Sequence, residues 1–212
     1  MIGYDHKVTV PEGEKDGMRV SRFTIDAHAA RRSRLGFRNV GRGIPEGTYT
    51  RLVGDGQVWM SDTPAEWHDH LDAVFEIRRP AARRVLINGL GLGVVLKATL
   101  ACEHIEHVDV VEFDQRVIDL VGPHYLADSR VEIHHADAYA IKWAPGLRWD
   151  VAWHDIWPEI VTTNLPEMTK LHRKYGRRVG WQGSWCRERL QYYARQERAQ
   201  ERVYQQFASA FK

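Results

Sequence analysis

Three glycines, two carboxylates and a tryptophan carry the chemistry this sequence can do. Gly89, Gly91 and Gly93 lie in the run Val85-Leu-Ile-Asn-Gly-Leu-Gly-Leu-Gly93. Such a turn can bend sharply and let a ligand approach backbone with no Cβ in the way. The helix that should follow points free N–H groups into it. Glu112 comes 23 residues after Gly89, a spacing at which a carboxylate can accept both hydroxyls of a ribose. Asp155 closes the run Trp149 to His154, and an acid at a strand end can orient an amine or hydroxyl and take its proton. Trp157 stands two residues on and offers an aromatic face to a cation.

These residues need a scaffold, and the hydrophobic pattern supplies one. Val85–Asn88, His107–Glu112, Val131–His135 and Trp149–His154 read as strands. Val94–Cys102 reads as a helix, and so does the segment that Asp114 caps, with Val117, Ile118, Leu120 and Val121 on its apolar side and Gly122-Pro123 as its stop. Strands alternating with helices predict a parallel α/β sheet whose useful side chains sit at the carboxyl ends. A dinucleotide fingerprint would need its third glycine one residue later, where Val94 stands, which lowers the odds of NAD or FAD.

Upstream, His6–Val10 and Met18–Ile25 suggest a hairpin around the polar loop Pro11–Gly17. Asp26 caps a short helix whose Arg31, Arg32 and Arg34, with Arg38 and Arg42, form a basic cluster read as a solvated face. Gly47–Ser61 reads as a second hairpin turning at Gly54-Asp55-Gly56. Thr63-Pro-Ala-Glu66 is a capping box opening a helix to about Ile77, with Trp67, Leu71, Val74 and Phe75 as its apolar face. Downstream, the pattern predicts a helix over Leu165–Tyr175, a fifth strand over Arg178–Trp181 and a terminal helix over Ser184–Phe211. The apolar residues of that last helix leave a polar gap from Arg195 to Arg202. The expected organisation is an N-terminal extension over 1–80, a nucleotide-binding domain over 81–183 and a C-terminal helix over 184–212.

The glycine run, Val-Val-Glu-Phe-Asp114, His-His-Ala-Asp-Ala138 and Trp-Asp-Val-Ala-Trp-His-Asp155 together resemble the class I S-adenosylmethionine (SAM)-dependent methyltransferases. Within that superfamily the chain most resembles the spermidine-synthase-like branch, from about Leu52 to Pro158. The resemblance implies a Rossmann-like parallel sheet, here truncated of its last two strands, with a β-rich N-terminal extension and a long C-terminal helix. It implies SAM as cofactor, held by Asn88, Gly89, Gly91, Gly93, Glu112, Phe113, Asp137, Ala138 and Asp155, with Glu112 on the ribose and Asp137 at the adenine. Asp155 becomes the catalytic residue, and Trp157, Trp59 and His68 the residues of the acceptor side.

The chain also departs from that branch. Where the family has a cofactor-contacting Gln it has Trp59, and where the family has Tyr-His-Glu it has His68-Asp69-His70. In the family's Gly-Gly-Gly-Asp-Gly turn the Asp meets the amine of decarboxylated SAM; here that position is Leu92. The departures favour methyl transfer from SAM to a small-molecule acceptor. Two alternatives stay open: aminopropyl transfer from decarboxylated SAM, and a SAM-binding or oligomerisation module without catalysis. Asp155-Ile-Trp-Pro158 shares an acid, a proline and an aromatic with the Asp-Pro-Pro-Tyr motif of base-amino methyltransferases in a different order, so nucleic acid is open as a partner but disfavoured.

Composition bounds the rest. The 212 residues are 43% apolar, with two cysteines, Cys102 and Cys186, so no disulfide framework is expected. No apolar run approaches a membrane span, and the N-terminus lacks a signal-peptide core, which makes the cytoplasm the default. No metal site is expected: Glu66 and His70 share a helix face that His68 does not, and His134 and His135 point to opposite faces of a strand. The net charge of +2 hides an asymmetry, because from Lys170 onward 11 Lys and Arg stand against three Asp and Glu. A basic tail on an acidic body predicts contact with that body or with a second subunit, and a homodimer is the simplest outcome.

Overall fold

The computed structural model describes residues 6–35 and 43–210. Five strands form a parallel sheet: β5 (Arg84–Asn88), β6 (His107–Glu112), β7 (Val131–His135), β8 (Trp149–His154) and β9 (Val179–Ser184), in the order β7-β6-β5-β8-β9. The chain steps outward from β5 to β7, then crosses back to β8 beside β5. Residues at the carboxyl ends of β5 and its two neighbours therefore face one crevice, the place where open α/β sheets bind ligands. Among the described residues no sixth or seventh strand joins this sheet.

Alternation along the strands buries both faces. Val85, Ile87, Val108, Val110, Val151 and Trp153 pack with residues of α3 (Leu71–Ile77), α4 (Val94–Leu100) and α5 (Gln115–Tyr125). Leu86, Val111 and Ala152 pack on the other side with Met168, Leu171 and Tyr175 of α6 (Leu165–Tyr175) and Leu190 of α7 (Arg187–Ala210). Burying a Leu or Val side chain contributes about 1.5–3 kcal/mol, so these two layers hold the strand ends in place.

The N-terminal extension is an antiparallel sheet of β1 (Gly13–Lys15), β2 (Met18–Ile25), β3 (Gly47–Gly54) and β4 (Gln57–Ser61). Its two tight turns, Asp16-Gly17 and Asp55-Gly56, have positive φ at both central residues, the conformation that matches strand twist and that Asp-Gly adopts readily. Arg116 ties the extension to α5. Its guanidinium meets Asp55 at 3.3 Å and Asp114 at 2.6 Å, and lies 5.8 Å over the Trp59 ring.

Several local expectations are corrected. His6–Val10 is not a strand: Val8 and Val10 are buried, but the Val8 N–H donates to the Asp62 carboxylate, and the hairpin partner of β2 is Gly13–Lys15. The helix expected to run to Ile77 breaks at His70 into α2 (Pro64–Asp69) and α3. The capping box does not form, because Glu66 accepts instead from the Ser61 N–H (2.6 Å) and hydroxyl (2.7 Å). Phe75 is exposed, while Ala73, Val74 and Ile77 are the buried residues of α3. Helix α5 continues through Pro123 to Tyr125; the proline costs a backbone bond near the helix end, while Tyr125 is buried and donates to the Leu92 carbonyl at 3.0 Å. The last helix starts at Arg187, since Ser184 completes β9 and Cys186 adopts a left-handed conformation. Arg31 and Arg32 are exposed on α1 (Ala27–Leu35); Arg38, Arg42, Phe211 and Lys212 lie outside the described residues. Among the described residues no helix is long and apolar enough to cross a membrane.

Candidate functional site

A cavity of about 580 Å³ opens where the strands end. Gly89 follows β5, Glu112 ends β6, Ala136 and Asp137 follow β7, and Asp155 follows β8; all line the cavity. The extension supplies the opposite wall with Leu52, Trp59, Met60, Glu66 and His70, and Trp185 enters from beyond β9. Two separate sheets thus build one site.

Backbone contacts fix the floor. The Gly89 N–H donates to the Val111 carbonyl at 2.8 Å, and the Asp155 N–H donates to the Asn88 carbonyl at 2.8 Å. Gly89, at φ +98, lies so close to β8 that an added Cβ would sit 1.9 Å from the Asp155 carbonyl oxygen. Gly91 faces the Met60 sulfur, and Gly93 packs on the Tyr125 ring. The Leu92 N–H, in the turn ahead of α4, is directed at the Met60 thioether at 3.3 Å.

Glu112 is oriented by the turn it faces. One carboxylate oxygen accepts the Leu90 N–H at 2.8 Å and the other the Asp114 N–H at 2.9 Å. Each oxygen keeps acceptor capacity for a ligand hydroxyl. Asp137 accepts the Tyr139 N–H at 2.7 Å, which shapes the turn at the cavity wall. Trp157 is buried and donates its indole N–H to Glu167 at 3.1 Å; Trp59 and Phe113 are more exposed, at the rim.

Asp155 and His70 face each other across 3.9 Å, Oδ2 to Nδ1. Burial pushes the Asp155 carboxyl up to about 8, and the charges of Glu66, Asp69 and Glu112 add to the effect. Both causes penalise a carboxylate surrounded by carboxylates in a low-dielectric site. Burial pulls the His70 imidazole down to about 4, against the opposing influence of Asp69. Its ring is 1% exposed, meets Trp153 edge-on at 5.9 Å, and its Nδ1 has no hydrogen-bond partner.

Most sequence-predicted positions converge here, and three do not. Asn88 lies on the α6 side of the sheet, where its amide donates to His154 Nδ1 at 2.7 Å. Gly93 serves packing against Tyr125, and His68 is exposed, off the cavity wall. The Leu92 side chain, where the family has its turn acid, is fully buried in the core. The cavity acids are instead Glu66, Glu112, Asp114, Asp137 and Asp155. Met60, Glu66, His70 and Trp185 were missed as site residues. The one signal for them was that Glu66 and His70 share a helix face.

No family model matches the chain. It is 31% identical over 90 residues to the polyamine aminopropyltransferase of Agathobacter rectalis and 33% identical over 92 residues to that of Prochlorococcus marinus. Each match takes in 39% of this chain and 32% of the relative, so the chain spans about a third of the curated relatives' length. Among solved structures, spermidine synthase from Thermotoga maritima aligns at a TM-score of 0.42 and 20% identity, over 68% of this chain and 46% of that one. The SAM-bound amino pentose methyltransferase from Micromonospora echinaspora aligns at 0.40 and 26% identity, over 53% and 46%. The chain is an α/β protein with a Rossmann-like parallel sheet, and over about 90 residues its sequence is similar to two polyamine aminopropyltransferases.

Proposed function

We propose that the cavity takes a sulfonium nucleoside of the SAM class and that the protein transfers an alkyl group from it to an amine, in the manner named for the two aminopropyltransferase relatives. The observation that carries this is the ring of carboxylates around an aromatic-walled cavity. Such a site favours a cationic ligand over an anionic one. Decarboxylated SAM and a diamine meet that requirement.

The residues present fit such a ligand. Glu112 would hold the ribose, Asp137 and the Ala138 backbone the adenine, and Gly89 and Gly91 the approach to the turn. The sulfonium, when bound, supplies an electrophilic carbon. The protein's own task is to align the acceptor, exclude water and take up a proton. Trp157 and Trp59 line the cavity, where an aromatic ring can attract a cationic group. Asp155 orients the acceptor: an ammonium beside it favours the ionised carboxyl, so amine binding and proton release from Asp155 are coupled.

A second reading, methyl transfer from intact SAM, is favoured by the absence of an acid at position 92. Mass spectrometry of the nucleoside product separates the two. Methylthioadenosine with an aminopropylated amine supports the first, S-adenosylhomocysteine the second, and neither product the non-catalytic module. For partners, we propose a small-molecule acceptor and a second copy of the chain meeting it through α7; for location, the cytoplasm.

A further inference from the structure

We propose that His107, Asp109 and Glu132, with His134 beside them, form a binding site for a divalent metal of the zinc class. The site lies at the β6–β7 edge of the parallel sheet, and none of its residues lines the cavity.

Strand register brings the groups together. His107 and Asp109 are two apart on β6, and Glu132 and His134 are two apart on β7, so each pair points to one face. Asp109 is the ladder partner of Glu132. Val111, two residues beyond Asp109, packs on the α6 side of the sheet, which fixes that face for the cluster. His107 opens β6 and Glu112 closes it, so the cluster and the ribose carboxylate stand at opposite ends of one strand. His134 finds its partners on the neighbouring strand, whereas His135 bonds to the Phe113 carbonyl. The pattern along the chain therefore gave no metal signal.

The distances suit one ion. Ligand atoms of His107, Asp109 and Glu132 all lie within 4.8 Å of one another. His107 Nε2 is 3.2 Å from Asp109 Oδ1 and 4.0 Å from Glu132 Oε2, and His134 Nε2 is 2.9 Å from the same Asp109 oxygen. Nitrogen and oxygen ligands of tetrahedral zinc stand about 3.3–3.6 Å apart. The longest gap belongs to Glu132, whose side chain is 61% exposed and free to rotate inward.

Asp109 is held for this role. Its side chain is 4% exposed, and Oδ2 accepts the Trp149 indole N–H at 2.7 Å. Such an outer bond orients a ligating carboxylate. Arg84 approaches the same Oδ2, at 3.8 Å, which leaves Oδ1 as the atom that both imidazoles face. Two imidazole nitrogens with two carboxylate oxygens suit Zn²⁺ and its first-row neighbours, whereas Mg²⁺ and Ca²⁺ take oxygen sets. Because β7 is the edge strand, an ion here fastens the edge to the sheet, and an ion that binds only the folded chain stabilises it.

The test uses the full chain freed of metal with a chelator. Calorimetry with ZnCl₂ alone should give one ion per chain, and zinc should raise the melting temperature. CoCl₂ should give the visible bands of a tetrahedral site, and zinc should bleach them. The chain has 11 His and two Cys, so variants must locate the ion. His107→Gln and Glu132→Gln should weaken zinc binding by more than the ~10–100-fold that loss of an outer-shell partner costs. The exposed His28, changed to Gln, should leave it unchanged. Metal-free melts of all three variants establish that they fold. Absence of stoichiometric zinc binding overturns the proposal. So does zinc binding that survives in folded His107→Gln and Glu132→Gln, or MgCl₂ binding as tightly as zinc. None of these measurements depends on transferase turnover.

Discussion

Gly89 and Asp155 are locked backbone to backbone: a Cβ on the glycine would lie 1.9 Å from the Asp155 carbonyl oxygen. The turn that follows β5 and the acid that follows β8 are therefore one unit, and the glycine is required by its neighbour as well as by its φ of +98. Gly89→Ala should cost about 1–3 kcal/mol from overpacking and a similar amount from backbone strain. Gly17→Ala, with positive φ but open space around it, should cost the strain alone. Denaturant melts of the two variants check the difference, and equal losses would contradict it.

The pH dependence of stability follows from Asp155. The folded state holds this proton up to about 8, whereas an unfolded Asp releases it near 3.9. Between those values the folded state carries the extra proton, so this group's contribution falls as pH rises. Asp155→Asn should raise the melting temperature at pH 8, and the gain should vanish toward pH 4. A gain that is equal at both pH values would show that Asp155 is not held protonated.

Much of this scaffold was legible in the sequence, and the reason is local. β5, β6 and β8 are short runs rich in β-formers with buried residues on both faces, so they stand out wherever they occur in the chain. The turns Asp16-Gly17 and Asp55-Gly56 are equally local. What was not legible depends on contacts between distant segments. Thr63-Pro-Ala-Glu66 has the letters of a capping box, yet Ser61 competes for the glutamate. Pro123 has the letters of a helix stop, yet Tyr125 keeps the last turn packed. Leu92 aligned with a family acid, but the turn directs it into the core. His70 and Met60 entered the site because the extension folds over the strand ends, which no window of sequence records.

Glu112 is the next test of the cofactor side. Glu112→Ala removes the acceptor for the Leu90 and Asp114 N–H groups along with the proposed ribose contact. Hydrogen bonds to a charged group contribute about 1.5–3 kcal/mol each, so methylthioadenosine affinity should fall by about 10–100-fold or more. Calorimetry showing unchanged affinity would remove Glu112 from the site.

Helix α7 leads to the oligomer. Leu190 and Arg189 fasten its start to the body, while Tyr193, Val203, Tyr204 and Phe207 are exposed. Light scattering should find the full chain dimeric and a chain ending at Gln191 monomeric with a near-wild-type melting temperature. A monomeric full chain would rule out the dimer.

The most direct measurement of the central proposal is a product assay. The full chain is incubated with decarboxylated SAM and putrescine and, separately, with SAM and putrescine, and nucleoside and amine products are followed by mass spectrometry. Methylthioadenosine formed in equal amount with an aminopropylated diamine, and only in the first mixture, is the expected result. S-adenosylhomocysteine with a methylated amine in the second mixture, or no thioether product in either, would contradict it.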